Sequence, residues 1–208
     1  MIKDIRKLSK EELHKWLIEE AGVNHPTWFG TGLKQGGIEL QQVPEEYIEL
    51  LWFLKNLNAK NYLNVGVGKG GSFMVETLIQ ENLTKSIAVD NSSYWQGNQR
   101  SSIMEKLEWL DAQVDIDIEF HDMDSSLFLK NCKDKFDAIF IDGDHTYDGV
   151  KRDYDNALPL LEDGAIMIFH DINSSGCPGV VRLWNEIKNE RCIEFVNSTT
   201  CGIGIFKK

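Results

Sequence analysis

The sequence is 208 residues long, enough for one domain with a single substantial core. Its 22 Lys and Arg face 33 Asp and Glu, a net charge of −11 with no basic patch, which argues against nucleic acid as a partner. It has neither a membrane-length apolar run nor a signal-peptide pattern, so no membrane is expected and the expected setting is the cytosol. Cys132, Cys177, Cys192 and Cys201 show no C-x-x-C pairing and read as reduced thiols, consistent with that compartment.

In chain order, Ser9-Lys10-Glu11-Glu12 is a capping box, and Leu13, Trp16, Leu17 and Ala21 continue it as a helical stripe. Asn24 to Gly37 is rich in turn formers yet carries Trp28 and Phe29. It reads equally as a lid or as a plug over a hydrophobic seam. Pro44 opens a helix with two glutamates in its first turn and a buried face of Tyr47, Leu50, Leu51, Leu54 and Leu57. The expected division is residues 1–43, a helix and loop, then a ligand-binding domain over 44–208.

Residues 61 to 72 organise the rest. A short apolar run (Tyr62, Leu63, Val65, Val67) breaks into Gly66, Gly68, Gly70 and Gly71. A helical pattern then follows over Phe73, Met74, Val75, Leu78 and Ile79. Glycines allow positive φ and close ligand approach, and a helix N-terminus offers free N–H groups to a carboxylate or phosphate. Gly66-x-Gly68-x-x-Gly71 also fits the dinucleotide fingerprint, with Asp90 closing the next strand.

Beyond it come a strand over Ser86 to Asp90, a helix over Gln96 to Ala112 and a half-buried strand over Asp115 to Phe120. A short helix over Ser125 to Cys132 and a buried strand over Phe136 to Asp142 follow. Thr146 to Glu162 is helical, with Pro159 set to kink or end it. Ala165 to Phe169 is another buried strand, and Pro178 opens a helix carrying Val181, Leu183, Trp184 and Ile187. Cys192 to Val196 and Gly202 to Phe206 are too close for a crossover and should pair antiparallel. Trp16, Trp52, Trp109 and Trp184 fall at helical core positions, Trp95 near Asp90, and His14 and His25 on the surface.

The alternation predicts an α/β fold, a single doubly wound, Rossmann-like sheet, mostly parallel with a C-terminal antiparallel hairpin. Ligands bind beyond the carboxyl ends of such strands. There lie Asn64 to Gly71, Asp90, His121-Asp122-Met123, Asp142 to His145, and His170-Asp171.

At these positions the chain resembles a class I S-adenosylmethionine-dependent methyltransferase. Asn64 to Gly70 resembles the family's first motif, Ala88-Val89-Asp90 its second, and Leu160-Leu161-x-x-Gly164 with the closing hairpin are further marks. The run from Ile141 to Tyr154, with Phe169-His170-Asp171-Ile172, is similar to the bacterial macrocin O-methyltransferase-like and cephalosporin-hydroxylase-like group. The resemblance implies S-adenosylmethionine as cofactor and a small-molecule acceptor such as a sugar hydroxyl or a secondary metabolite. Self-association into a homo-oligomer is left open.

By the same resemblance, Gly66, Gly68, Gly70 and Gly71, with Asn64 and Ser72 beside them, would hold the methionine part. Asp90 would take the ribose, Asp122 and Met123 the adenine edge, and Asp142 the methyl-donor end. Asn64 departs from the family's usual Asp or Glu: an amide accepts from the cofactor's ammonium but adds no charge attraction.

A hydroxyl acceptor must lose a proton. Asp142 and Asp171, with His170 or Asp144, would do this by binding a cation such as Mg²⁺. His145 would do it as a metal-free general base, with Asp142 beside it. Helix capping is the plain alternative for the Asp142 to Thr146 segment. Two other functions fit the glycine pattern: an NAD(P)-dependent oxidoreductase, with Tyr147-x-x-x-Lys151 as its pair, and an inactive methyltransferase-like binding module.

Overall fold

The computed structural model describes residues 4–21, 38, 40–93, 99–197 and 200–208. The expected lid or plug, with His25, Trp28 and Phe29, lies outside the described residues, as does Trp95. Ser9 closes its capping box in both directions. Its Oγ accepts from the Glu12 N–H at 3.2 Å, and Glu12 Oε2 accepts from the Ser9 N–H at 2.9 Å. Helix α1 (Lys10–Trp16) runs from there into a π-helical turn, Leu17–Ala21, and the predicted stripe is buried along both. Pro44 is the first residue of α2 (Pro44–Lys55), whose Tyr47, Leu50, Leu51 and Leu54 are fully buried. Leu57 falls past its end and is half-buried.

Seven strands of the described residues form one sheet. They are β1 (Asn61–Val65), β2 (Lys85–Asp90), β3 (Asp117–Asp122), β4 (Phe136–Ile141), β5 (Leu161–His170), β6 (Ile193–Phe195) and β7 (Ile203–Lys207). Their order is β3-β2-β1-β4-β5-β7-β6. The first five run parallel, and β7 lies antiparallel between β5 and β6. The expected doubly wound sheet with a closing antiparallel hairpin is therefore present. Alternation along the buried strands feeds two cores. Tyr62, Ala88, Phe140 and Ile168 pack under α2, α3 (Gly71–Ile79) and α4 (Arg100–Asp111). Leu63, Ile87, Ile139 and Phe169 pack under α5 (Ser125–Asn131), α6 (Tyr147–Ala157) and α7 (Pro178–Ile187). No helix of the described residues is long and apolar enough to cross a membrane.

Several boundaries differ from expectation. The helix predicted to reach Glu162 stops at Ala157, and Leu158–Leu160 is a 3-10 turn built on Pro159. Strand β5 then starts at Leu161, four residues early. Leu161 pairs with Phe136 before the register shifts, and Gly164 absorbs the irregularity at φ 81°. Strand β3 begins two residues later than predicted, so His121 and Asp122 belong to it. The helix expected from Gln96 starts at Arg100 within the described residues. Trp52 and Trp109 are half-buried on their helices rather than in the core, and His14 is half-buried rather than on the surface.

The strand order reverses between β1 and β4, and the crevice beyond their carboxyl ends is where such a sheet takes a ligand.

Candidate active site

The turn after β1 is built on backbone that only glycine adopts freely. Gly66, Gly68 and Gly70 have φ of 88°, 54° and 85°. Gly66 is also sterically required, because a Cβ there would lie 2.1 Å from the Asp142 carbonyl oxygen. The two strand ends therefore touch. Gly70 is the N-cap of α3, and no side chain caps that helix end by a hydrogen bond.

Asn64 is fully buried on β1. Its Nδ2 donates to Glu76 Oε2 at 2.7 Å, while its Oδ1 is buried without a hydrogen-bond partner. The free oxygen is the acceptor that a bound ammonium would need. Glu76 also accepts from Tyr62 Oη at 2.7 Å and from Tyr47 Oη at 3.2 Å. Burial pushes its carboxyl up to about 7 against the pull of those donors. Ser72 meets Tyr47 only through its carbonyl oxygen, at 3.3 Å.

Asp90, at the end of β2, accepts from the Gly68 N–H at 2.9 Å. Burial raises its pKa, and the Gly68 and Val67 amides offset part of that. Its register neighbour on β3 is Asp122, which accepts from both the amide and hydroxyl of Ser92 and from Arg100. Met123 packs half-buried beside them. His121 turns away to Glu119, at 2.8 Å, and to the Phe128 ring.

At the ends of β4 and β5 two acids and two imidazoles alternate in a ring. His145 Nε2 lies 3.2 Å from Asp142 Oδ1 and 3.6 Å from Asp171 Oδ2. His170 Nδ1 lies 3.5 Å from Asp142 Oδ1 and 3.4 Å from Asp171 Oδ2. Cys177 Sγ donates to Asp171 Oδ2 at 3.3 Å. Asp171 is held at φ 62°, the only non-glycine positive φ among the described residues, so this corner is strained to aim its carboxylate inward.

Burial opposes the charge on every member, and the ring overrides it. Asp142 stays well below the usual carboxylate range because His170 and His145 face it. Asp171 is lowered as well, chiefly by His170. His145, whose side chain is 44% exposed, is pushed up to about 11 against partial desolvation, first by Asp142 and then by Cys177.

Helix capping does explain part of the motif. Asp144 Oδ1 accepts from the Thr146 N–H at 2.9 Å, and Thr146 Oγ1 accepts from the Gly149 N–H at 3.1 Å. Thr146 thus caps α6, and Asp144 braces the turn just before it and stays out of the ring. Sequence reasoning missed Cys177 and Cys201, both of which come within ligand distance of Asp171. The signal lay in topology rather than in a motif. Cys177 closes the short loop after Asp171, and pairing β7 with β5 brings Cys201 opposite that loop, where the Asn173 N–H donates to its carbonyl at 2.7 Å. The Tyr147/Lys151 pair has no such setting. Tyr147 Oη donates to Glu186 at 2.7 Å and Lys151 binds Asp155, both half-buried on α6 and tied up in surface contacts.

Residues 63–172 match the family model described as a methyltransferase domain. No curated protein matches the sequence. Among solved structures, one similar chain is an O-methyltransferase from Bacillus cereus in complex with S-adenosylhomocysteine. It has a TM-score of 0.59 and 16% identity, over 100% of this chain and 92% of that one. The O-methyltransferase TomG from Streptomyces achromogenes, involved in tomaymycin synthesis and solved with S-adenosylmethionine, has a TM-score of 0.56 and 16% identity, over 79% of each chain. The N-methyltransferase NodS from Bradyrhizobium japonicum WM9, with S-adenosylhomocysteine, has a TM-score of 0.55 and 14% identity, over 78% of this chain and 87% of that one. At these identities the likeness is one of fold.

Proposed function

Because the chain belongs to the methyltransferase domain family and is an S-adenosylmethionine-dependent methyltransferase, we propose that it methylates the hydroxyl of a small molecule, with a divalent cation assisting deprotonation. One observation carries the reading: the glycine turn that suits the cofactor touches Asp142, which belongs to the acid–imidazole ring. Methyl donor and acceptor base would then share one crevice.

The sulfonium of S-adenosylmethionine supplies an activated methyl carbon for in-line attack. The chain's part is to bind, orient and deprotonate. The open end of α3 and the unpartnered Asn64 Oδ1 suit the methionine carboxylate and ammonium. The half-buried Asp90 suits the ribose hydroxyls, and Asp122 and Met123 border the adenine side. A cation held by Asp142, His170 and Asp171 would lower the pKa of the acceptor hydroxyl. His170 Nδ1 lies 3.5 Å from Asp142 and 3.4 Å from Asp171, which supports His170 as the shared member of that set. The four free thiols fit a cytosolic setting.

The test is thermal unfolding with S-adenosylhomocysteine or NAD, each with Mg²⁺ or with chelator. Ligand at about 100 times its Kd stabilises by about 2.7 kcal/mol, a midpoint rise of roughly 5–10 °C here. A rise with S-adenosylhomocysteine, enlarged by the metal, is expected, and Asp90→Ala should abolish it. A rise with NAD alone would overturn the reading, and a rise that persists in Asp90→Ala would remove the ribose assignment.

A further inference from the structure

Asp171 sits between two sets of soft and hard donors that the reading above does not use in full. One set is His145, Asp171 and Cys177, the other His170, Asp171 and Cys201, and within each set the donor atoms all lie within 4.8 Å of one another. The outer set is the accessible one. The His145 side chain is 44% exposed, whereas His170 is 6% and Cys201 2% exposed.

We infer that the outer set is a zinc-type site, with His145 Nε2, Asp171 Oδ2 and Cys177 Sγ as three ligands and a fourth position open to the acceptor oxygen. The inference deepens the proposed function and rests on its metal-assisted form. It names the ion and keeps Asp171, with His145 and Cys177 taking the ligand places given above to Asp142 and His170.

Geometry comes first. Tetrahedral zinc with bonds of about 2.0–2.3 Å sets its donors about 3.4–3.6 Å apart. Here the imidazole nitrogen is 3.6 Å from the Asp171 oxygen, and that oxygen is 3.3 Å from the sulfur. These two pairs need shifts of only a few tenths of an ångström, and the nitrogen and sulfur lie within 4.8 Å of each other. Octahedral Mg²⁺, with bonds of about 2.1 Å, needs cis donors about 3.0 Å apart and prefers oxygen throughout.

Donor chemistry points the same way, because imidazole and thiolate select zinc and its neighbours over magnesium. Three mixed ligands with one position left open is the arrangement of catalytic rather than structural zinc. Asp142 Oδ1, 3.2 Å from the same His145 nitrogen, borders that fourth position. A hydroxyl bound there would meet the Asp142 carboxylate as it lost its proton. His145 would then serve as a ligand, so the proton would have to leave through Asp142 or water.

The test uses Co²⁺ as an optical probe for zinc on the full chain, with metal affinity read separately by chelator competition. Wild type should show a thiolate-to-cobalt charge-transfer band that one equivalent of Zn²⁺ abolishes. Cys177→Ser, which keeps a hydroxyl donor to Asp171, should lose the band and at least about 100-fold in Zn²⁺ affinity, more than an outer partner normally costs. His145→Ala, an exposed change, should weaken the metal while leaving the fold intact. Cys132→Ser and Cys201→Ser should keep the band. A band that survives Cys177→Ser, or that disappears in Cys201→Ser instead, overturns the assignment. Mg²⁺ binding with no thiolate band sinks the zinc site and leaves the proposed function standing. No metal binding, with S-adenosylhomocysteine still bound, removes metal assistance altogether.

Discussion

Glu76 gives the sharpest energetic prediction. Its carboxyl is fully buried among Tyr47, Tyr62 and Asn64, and burial lifts its pKa from 4.5 to about 7. The folded protein therefore binds this proton more tightly than the unfolded chain does. Stability from Glu76 is fully present below pH 4.5, drains away as the pH rises, and is lost above about pH 7. The span of roughly 2.5 units corresponds to about 3 kcal/mol. For a domain of this size that is roughly 6–12 °C in midpoint.

Glu76→Gln removes the titration while keeping the contacts. Its carbonyl can accept from Tyr62 and Asn64, and its amide can donate to Tyr47 Oη once that hydroxyl turns fully to the Ser72 carbonyl, already 3.3 Å away. Urea unfolding of both proteins from pH 4.5 to 8, in chelator, gives a difference in which other titrating groups cancel. Wild type should lose about 3 kcal/mol relative to Glu76→Gln across that range, with no further loss above it. Parallel profiles would refute the account of a buried, proton-holding carboxyl.

Other perturbations separate the roles around the crevice. Gly66→Ala puts a Cβ 2.1 Å from the Asp142 carbonyl and strains a residue at φ 88°. It should cost more than about 2 kcal/mol in urea unfolding and abolish S-adenosylhomocysteine binding in calorimetry. Asp142→Asn should end methyl transfer yet leave S-adenosylhomocysteine affinity within a few-fold of wild type, and retained turnover would take Asp142 out of the chemistry. Asp144→Ala should lose only the turn hydrogen bond to the Thr146 amide, about 1 kcal/mol of stability, with metal affinity unchanged; a drop in that affinity would return Asp144 to the ligand set.

The sequence carries the sheet well because strand identity here depends on short-range pattern. Buried runs such as Phe136–Ile141 and the Pro-marked starts of α2 and α7 come from local chemistry. Where a boundary depends on a partner strand, local pattern misleads. Leu158 and Leu161 share a helical spacing, but Leu161 pairs with Phe136 and becomes strand. The candidate site divides the same way. Which residues reach the ligand edge follows from counting strands. That Asp144 turns back to the Thr146 amide while Asp171 turns inward is decided by side-chain packing and by a left-handed φ uncommon outside glycine. The two thiols come to Asp171 through a loop and through a hairpin register, neither visible as a motif.

The placement of β7 bears on how the protein is made. Strands β1 to β5 can pair in the order in which they are synthesised, but β5 gains its outer neighbour only when Ile203–Lys207 arrives, and β6 has no other partner in the sheet. Until then the edge running from Ile166 to His170 offers unpaired backbone flanked by Ile166, Ile168 and Phe169. At roughly 5–20 residues per second, the 32 residues between β5 and β7 leave that edge open for a few seconds on the ribosome. A nascent chain in this state is a template for strand addition, so the segment that finishes the ligand edge is also the one most in need of a chaperone's cover.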